Sequence, residues 1–170
     1  MAVRDYLNEI NEFESHYQYD STYMRELLEH SSEGYAKFDN FMPLASHREI
    51  LDPETYWVAK LAAMQVEDCG DCLQLNVRMA LENNVSKQVI ESVLNGGSGL
   101  PNNLRDLYEF AIRVTAHDSI EKDLKDRINE LFDKNALLEL ALCIATAKVF
   151  PAIKRTLGYA KSCSLVEIKV

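Results

Sequence analysis

The stretch LDPETYWVAKLAAMQVEDCGDCLQLNVRMALENNVS, residues 51–86, decides the fold of this chain. Its first part, Asp52-Pro53-Glu54, is a strong helix start because it combines an N-cap acid, a proline at the first helical position and an acid in the first turn. Trp57, Leu61 and Met64 then recur at the spacing of one apolar helix face. The stretch therefore opens with a predicted amphipathic helix.

A second helix is predicted directly after the first. It starts at the acids Glu67-Asp68 and runs to Asn83-Asn84, where asparagine is typical of a left-handed helix end. Cys69 and Cys72 form a Cys-x-x-Cys pair with helical spacing, and the pattern places them in the first turn of this helix. The sequence thus predicts a pair of cysteines at a helix N-terminus.

Apolar residues at helical spacing continue on both sides of this stretch. Further helices are predicted at residues 3–17, 22–28, 32–41, 86–94, 104–116, 120–132 and 136–150. Pro43 and Pro151 are expected to end or kink the helices around them, and the alternating tail 165–170 is typical of a short edge strand. The nearly all-apolar helix 136–150 is predicted to be buried or to lie at a subunit interface. These elements predict one all-α domain over residues 1–170.

Composition narrows the class of protein. The chain is 47% hydrophobic and 26% charged, which is typical of a soluble globular protein. A net charge of −9, with no basic stripe, argues against nucleic acid as a partner. The start lacks an apolar signal region, and no run approaches the length needed to cross a bilayer, so we expect a cytoplasmic protein with no membrane partner.

The Cys69/Cys72 pair has several chemical interpretations. Leu73 follows the pair where c-type haem attachment needs histidine, and thioredoxin-type sites need a βαβ pattern that is absent. A structural zinc site needs four ligands, but Cys143 and Cys163 are single and the four histidines lack metal-ligand spacing. A redox dithiol and simple packing of buried thiols remain. A helix N-terminus favours the thiolate, whereas the neighbouring acids disfavour it, so sequence alone does not fix the sign of the net effect.

Residues 51–86 resemble the carboxymuconolactone decarboxylase and alkylhydroperoxidase-D family without a gap. The resemblance lies in the Asp52-Pro53-Glu54 helix start, in Cys69-Gly70-Asp71-Cys72, and in Ala80 with Asn84-Val85-Ser86. Residues 138–158 also resemble the last long helix of the family. The resemblance implies an all-α fold of the alkylhydroperoxidase-D type, with helices packed within and between the subunits of a homo-oligomer. We expect residues 1–45 to form the N-terminal helices of this single domain.

The resemblance also implies roles. In the peroxidase branch of the family the second cysteine attacks and the first resolves, so Cys72 would be the nucleophile and Cys69 its partner. A glutamate and a histidine relay the proton there, but this chain has Trp57 and Asn76 at those positions. Asn76 can hydrogen-bond a thiolate but is no base near neutral pH. Loss of a general base forfeits about 10² to 10⁴ in rate.

Three other residues are candidates for proton relay or support. Glu54 lies one turn before Trp57, although it is more simply a first-turn helix acid. Glu67 flanks the cysteine pair. His47 precedes the helix that leads to the pair, and histidine is a residue type that can act as a base, although a surface position is the plainer interpretation.

The sequence leaves two functions open. The first is a peroxiredoxin-like thiol oxidoreductase that reduces a small hydroperoxide or disulfide and is recharged by a thiol electron donor protein, without a cofactor or metal. The intact pair favours this function over decarboxylation, which does not depend on a dithiol. The second is a non-catalytic helical oligomer whose cysteines sense redox state or only pack, and the missing relay residues favour it.

Overall fold

The computed structural model describes residues 5–165 and 167–170, and the described residues form helices and no strands. The helices are α1 (Tyr6–Tyr17), α2 (Thr22–His30), α3 (Ser32–Ala45), α4 (Pro53–Val66), α5 (Gly70–Glu82), α6 (Lys87–Leu94), α7 (Asn102–Ala116), α8 (Lys122–Leu131), α9 (Lys134–Ala147) and α10 (Val149–Thr156). A 3₁₀ turn, Cys163–Leu165, follows. The all-α prediction is confirmed. The predicted start of the first helix at Val3 lies outside the described residues.

Helix α4 is the centre of the molecule. Its start is the predicted one: the Asp52 carboxylate accepts from the backbone N–H and the hydroxyl of Thr55, so the first turn is capped. Every residue from Thr55 to Met64 is buried, because α5, α6, α7 and α9 all pack against α4. The sequence predicted one apolar face, whereas the structure buries the whole circumference.

A buried lysine links α4 to its neighbours. The ammonium of Lys60 donates to the carbonyl oxygens of Ala45 and Cys143 and to the hydroxyl of Thr146. Burial lowers the pKa of Lys60 below its ordinary value. All three acceptors are neutral, and together they use the three donors of the ammonium. Lys60 therefore ties α4 to the end of α3 and to α9.

The N-terminal helices form a second hydrophobic cluster beside the main core. Its buried members are Ile10, Tyr19, Tyr23, Met24, Tyr35 and Phe38. Leu75 of α5 and both Phe150 and Ile153 of α10 pack against this aromatic cluster. Helices α5 and α10 therefore lie where the two clusters meet, and the tyrosines serve as core.

Pro43 behaves differently from the prediction, whereas Pro151 behaves as predicted. Pro43 lies inside α3, which continues to Ala45 instead of stopping before Met42. Pro43 removes one backbone N–H from the last turn of α3, and in that turn the Ser46 hydroxyl donates to the carbonyl oxygens of Met42 and Pro43. Pro151 kinks its helical run: α9 and α10 are separated by a break at Lys148, next to Ala147, whose carbonyl a proline at position 151 cannot bond.

The C-terminal segment packs on α5 as an irregular strap. The amide of Gln74 bonds both the backbone N–H and the carbonyl oxygen of Lys169. Leu165 ends the 3₁₀ turn, and residues 167–170 form no strand, so the expected edge strand is not found in the described part of the tail. Val166 lies outside the described residues.

Helices α9 and α10 together form a long apolar segment. The expectation that no run is long enough for a bilayer is wrong, because α9 and α10 together, Lys134–Thr156, pass by length and composition. A core helix of a soluble protein passes the same test, and part of this segment is buried against α4. Its buried residues include Glu139 and Lys154, both of which have charged or polar partners. The segment is weak evidence for a membrane span.

Candidate functional site

The two cysteines lie where the chain turns from α4 into α5. Asp68 adopts a positive φ of 47°, which reverses the chain after α4. Cys69 is then the N-cap of α5 and Cys72 is its third helical residue. The two form a disulfide, with Cα atoms 5.2 Å apart. The predicted position of the pair in the first turn of a helix is confirmed.

The disulfide is buried beneath the C-terminal segment. The exposed fractions are 0% for Cys69 and 2% for Cys72. Gly70 donates its backbone N–H to the carbonyl oxygen of Lys161 at 2.8 Å, and Asp68 accepts from the Cys163 backbone at 2.8 Å. The segment is therefore bonded to the residues on both sides of Cys69.

Each acid beside the cysteine pair has either a lysine or a hydrogen-bond donor next to its carboxylate. Lys148 lies 3.8 Å from the Glu67 carboxylate, and Lys154 lies 3.5 Å from the Asp71 carboxylate. The Cys163 N–H and the Ser162 hydroxyl hold the pKa of Asp68 below its ordinary value. The two lysines reduce the repulsion that Glu67 and Asp71 would exert on a thiolate, whereas Asp68 stays charged, and the helix N-terminus acts as a favourable influence.

The two relay positions hold groups that do not move protons. The side-chain N–H of Asn76 donates to the carbonyl oxygen of Cys72 at 2.8 Å, so the amide bonds the backbone of its own helix. Trp57 is 7% exposed, and its indole N–H is buried without a hydrogen-bond partner among the described residues. Neither side chain can act as a base.

The structure separates the other predicted support residues. Glu67 caps the end of α4, two residues before Cys69, and its carbonyl oxygen accepts from Arg155. Glu54 lies in the first turn of α4, at the opposite end of that helix from the pair. His47 also lies near that end, where it faces Glu139. Among these candidates, only Glu67 is brought beside the cysteines.

The sequence did not predict that Lys154 lies close to the cysteine pair. Lys154 of α10 is 1% exposed, and it reaches the carboxylate of Asp71, which lies between the two cysteines. No local pattern signals this contact, because the two residues are 83 positions apart. A cavity of about 230 Å³ lies beside Asp71, and Tyr19, Gln74 and Arg78 also line it.

The remaining cysteines are free thiols. Cys143 is buried, and burial raises its pKa to about 11. Cys163 is partly buried, and its burial together with the charge of Asp68 raises its pKa to about 11 as well. Within the part of the chain that the structure describes, no three His, Cys, Asp or Glu side chains are grouped to hold a metal ion.

The fold and the site define an all-α protein with a Cys-x-x-Cys disulfide at a helix start. Residues 33–98 match the model of the carboxymuconolactone decarboxylase family. The matched range contains both cysteines and both relay positions, and it confirms the resemblance inferred from residues 51–86. The resemblance of residues 138–158 lies outside the range. No curated protein and no solved structure matches the chain.

Proposed function

We propose that this protein is a thiol-dependent oxidoreductase of the alkylhydroperoxidase-D type. The observation that carries the proposal is the Cys69–Cys72 disulfide at the N-terminus of α5, within a segment that matches the family. Such a pair can cycle between disulfide and dithiol. The helix N-terminus favours the thiolate of Cys72, the form that attacks an electrophilic oxygen or sulfur.

The proposed cycle with a hydroperoxide has three steps. The Cys72 thiolate attacks the terminal oxygen, the O–O bond breaks, and the alcohol leaves with a proton while Cys72 becomes a sulfenic acid. The Cys69 thiol then attacks the Cys72 sulfur, which forms the disulfide and releases water. An external dithiol, small or carried by a donor protein, reduces the disulfide and restores both thiols.

The relay positions limit the proposed rate. With Trp57 and Asn76 in place, no base at these positions takes the Cys72 proton, and an unassisted thiol of pKa about 8.5 is only about 3% ionised at pH 7. We therefore propose slow turnover, by about 10² or more relative to a site with a base. Because Glu67 and Asp71 are each paired with a lysine, their negative charges lower the proposed rate less than unpaired acids would.

Counting free thiols tests the proposal. The protein is reduced, freed of reductant and treated with a small excess of hydrogen peroxide in a Cys163→Ser background, which removes the partly exposed free thiol. We expect the parent to lose two thiols and form the Cys69–Cys72 disulfide. Cys69→Ser should stop at a Cys72 sulfenic acid that dimedone traps, whereas Cys72→Ser should lose none. An unchanged count in the parent would refute the redox proposal.

The burial of both sulfur atoms favours a second candidate function. Reactive cysteines usually lie in partly exposed positions, whereas Cys69 and Cys72 are almost fully covered. The alternative is a non-catalytic helical oligomer whose disulfide stabilises the α4–α5 turn or reports redox state. Turnover separates the two: with dithiothreitol as reductant, an enzyme consumes peroxide much faster than its Cys72→Ser variant, whereas a non-catalytic chain and that variant consume it at the same uncatalysed rate.

A further inference from the structure

The charged pair formed by Asp71 and Lys154 lies inside the protein beside the disulfide. Lys154 is 1% exposed and Asp71 22%, and their charged atoms are 3.5 Å apart. That separation is longer than a hydrogen bond, and neither Asp71 Oδ2 nor Lys154 Nζ has a hydrogen-bond partner among the described residues. Burying two charges with so little hydrogen bonding is costly, so the pair contributes little to stability.

The surroundings of Lys154 hold its charge next to Asp71. Its Nζ lies 4.7 Å from the ring centroid of Tyr19 and 5.8 Å from that of Tyr23, over the faces of the aromatic cluster. The other charged groups that face it are Asp20 and Lys161. Burial lowers the pKa of Lys154 below its ordinary value, and the charges of Asp71 and Asp20 oppose that change.

The position of Asp71 determines what the pair can influence. Asp71 is the second helical residue of α5 and adjoins Cys72, the third, so its charge lies within about 10 Å of the attacking sulfur. An unpaired carboxylate at that distance would disfavour the thiolate. Of the other acids near the sulfur, Glu67 faces Lys148, and Asp68 is bonded by Ser162 and Cys163.

We propose that Lys154 is a positioning residue that neutralises Asp71 and thereby controls how readily Cys72 ionises. This inference rests on the proposed redox use of the pair. The step concerned is the loss of the Cys72 proton to solvent, with the paired charges determining the stability of the anion that remains. Lys154 does not touch the substrate and acts only through Asp71.

The two charges predict opposite effects on Cys72. A unit charge about 10 Å away, in a medium of effective dielectric constant about 20, changes an ionisation equilibrium on the order of tenfold. Lys154→Met leaves Asp71 unpaired, so we expect iodoacetamide to alkylate Cys72 about tenfold more slowly at pH 7. Asp71→Asn leaves Lys154 unpaired, so we expect faster alkylation. The double variant should return close to the parent.

The experiment uses the full chain with Cys69→Ser and Cys163→Ser, so that the one remaining thiol besides Cys72 is the buried Cys143. The midpoint of the alkylation profile between pH 5 and 10 is compared, because burial slows the reaction and displaces the midpoint alike in every variant, so that differences between midpoints report the changed charges. Lys122→Met, which removes an exposed lysine paired with Asp126, is the matched control and should not shift it.

Opposite shifts that cancel in the double variant would support the proposal, since a purely structural role would move both single variants in the same direction. If Lys154→Met does not fold, Asp71→Asn alone decides: an unchanged or slower reaction overturns the proposal. Alkylation needs no peroxide, so a chain that peroxide does not oxidise can still show the shifts. Failure of this inference is thereby distinguishable from failure of the proposed function.

Discussion

Asn76 and Trp57 are the two residues at which the chemistry of this site departs from that expected of the family. The amide of Asn76 bonds the Cys72 carbonyl oxygen, and the indole of Trp57 is enclosed in the core. Neither group can hold the proton of Cys72 during attack on a peroxide. The consequence is a site with a Cys-x-x-Cys disulfide at a helix start and no base at either relay position.

Restoring a base at these positions should raise the rate. We expect Trp57→Glu combined with Asn76→His to increase peroxide consumption, with dithiothreitol as reductant, by about 10². Asn76→Gln keeps an amide and serves as the control, with no increase expected. Because Trp57→Glu buries a carboxylate and can destabilise the fold, Asn76→His is also measured alone. No increase in either variant would show that the relay does not limit turnover.

At the scale of elements, Glu139 of α9 binds the segment that precedes the central helix α4. Its buried carboxylate accepts the backbone N–H groups of Glu49, Ile50 and Leu51 at 2.9 Å, which fixes the segment before α4 against α9. Burial alone would raise the pKa of Glu139, but these three donors outweigh it and the pKa lies below its ordinary value, with His47 acting in the same direction.

Glu139→Gln should therefore destabilise the protein in a pH-dependent way. We expect a loss of about 2 kcal/mol in the free energy of unfolding at pH 7, since charge-assisted hydrogen bonds are removed. A depressed folded pKa stabilises the protein above the unfolded value near 4.3 and ceases to do so as pH falls through the folded value. The deficit in urea unfolding should shrink toward pH 4. Glu130→Gln, at an exposed acid of α8, should cost almost nothing at either pH.

The helix starts show how far local sequence determines the elements. Asp52 and Ser86 cap α4 and α6 as predicted, because an N-cap acts on N–H groups only a few residues away. The prediction that Pro43 stops its helix before Met42 was wrong, because α3 runs two residues past Pro43 to Ala45. The helix caps, which depend on neighbouring residues, could thus be predicted from the sequence, whereas the exact ends of the helices could not.

At the scale of the whole molecule, an apolar face of α9 remains uncovered. Leu138, Ala141 and Ala145 recur at helical spacing and are exposed, Leu138 to 54%. Ile50, also 54% exposed, is bonded through its backbone to Glu139, the residue after Leu138. The alternative that this helix lies at a subunit interface therefore stays open, and we propose that a second copy of the chain covers this face.

This proposal predicts a change in mass in solution. We expect the parent to run as a homo-oligomer in size-exclusion chromatography with light scattering, and Leu138→Lys to shift it toward the monomer. Leu131→Lys changes another exposed leucine, on α8, and should leave the mass unchanged. A monomeric parent would contradict the proposal.

The contacts that the sequence did not predict are those between distant parts of the chain. Cys69, Cys72 and their helix position follow from residues 51–86, whose pattern is local. The approach of Lys154 to Asp71 depends on where α10 docks after its break near Pro151, and nothing in the spacing of either residue signals it. The same holds for the C-terminal strap across Cys69.

That strap has a kinetic consequence for any reaction at the disulfide. Both cysteines are almost fully covered, and the segment around Lys161 and Cys163 is bonded to Gly70 and Asp68 beside them, so we expect a reagent to reach the sulfur atoms when this segment detaches. If detachment is slower than the chemical step, the rate reaches a ceiling as reagent concentration rises, and that ceiling is the opening rate of the strap. Reagents of very different intrinsic reactivity would then react at the same maximal rate, and the opening of the C-terminal segment would be the rate-limiting step.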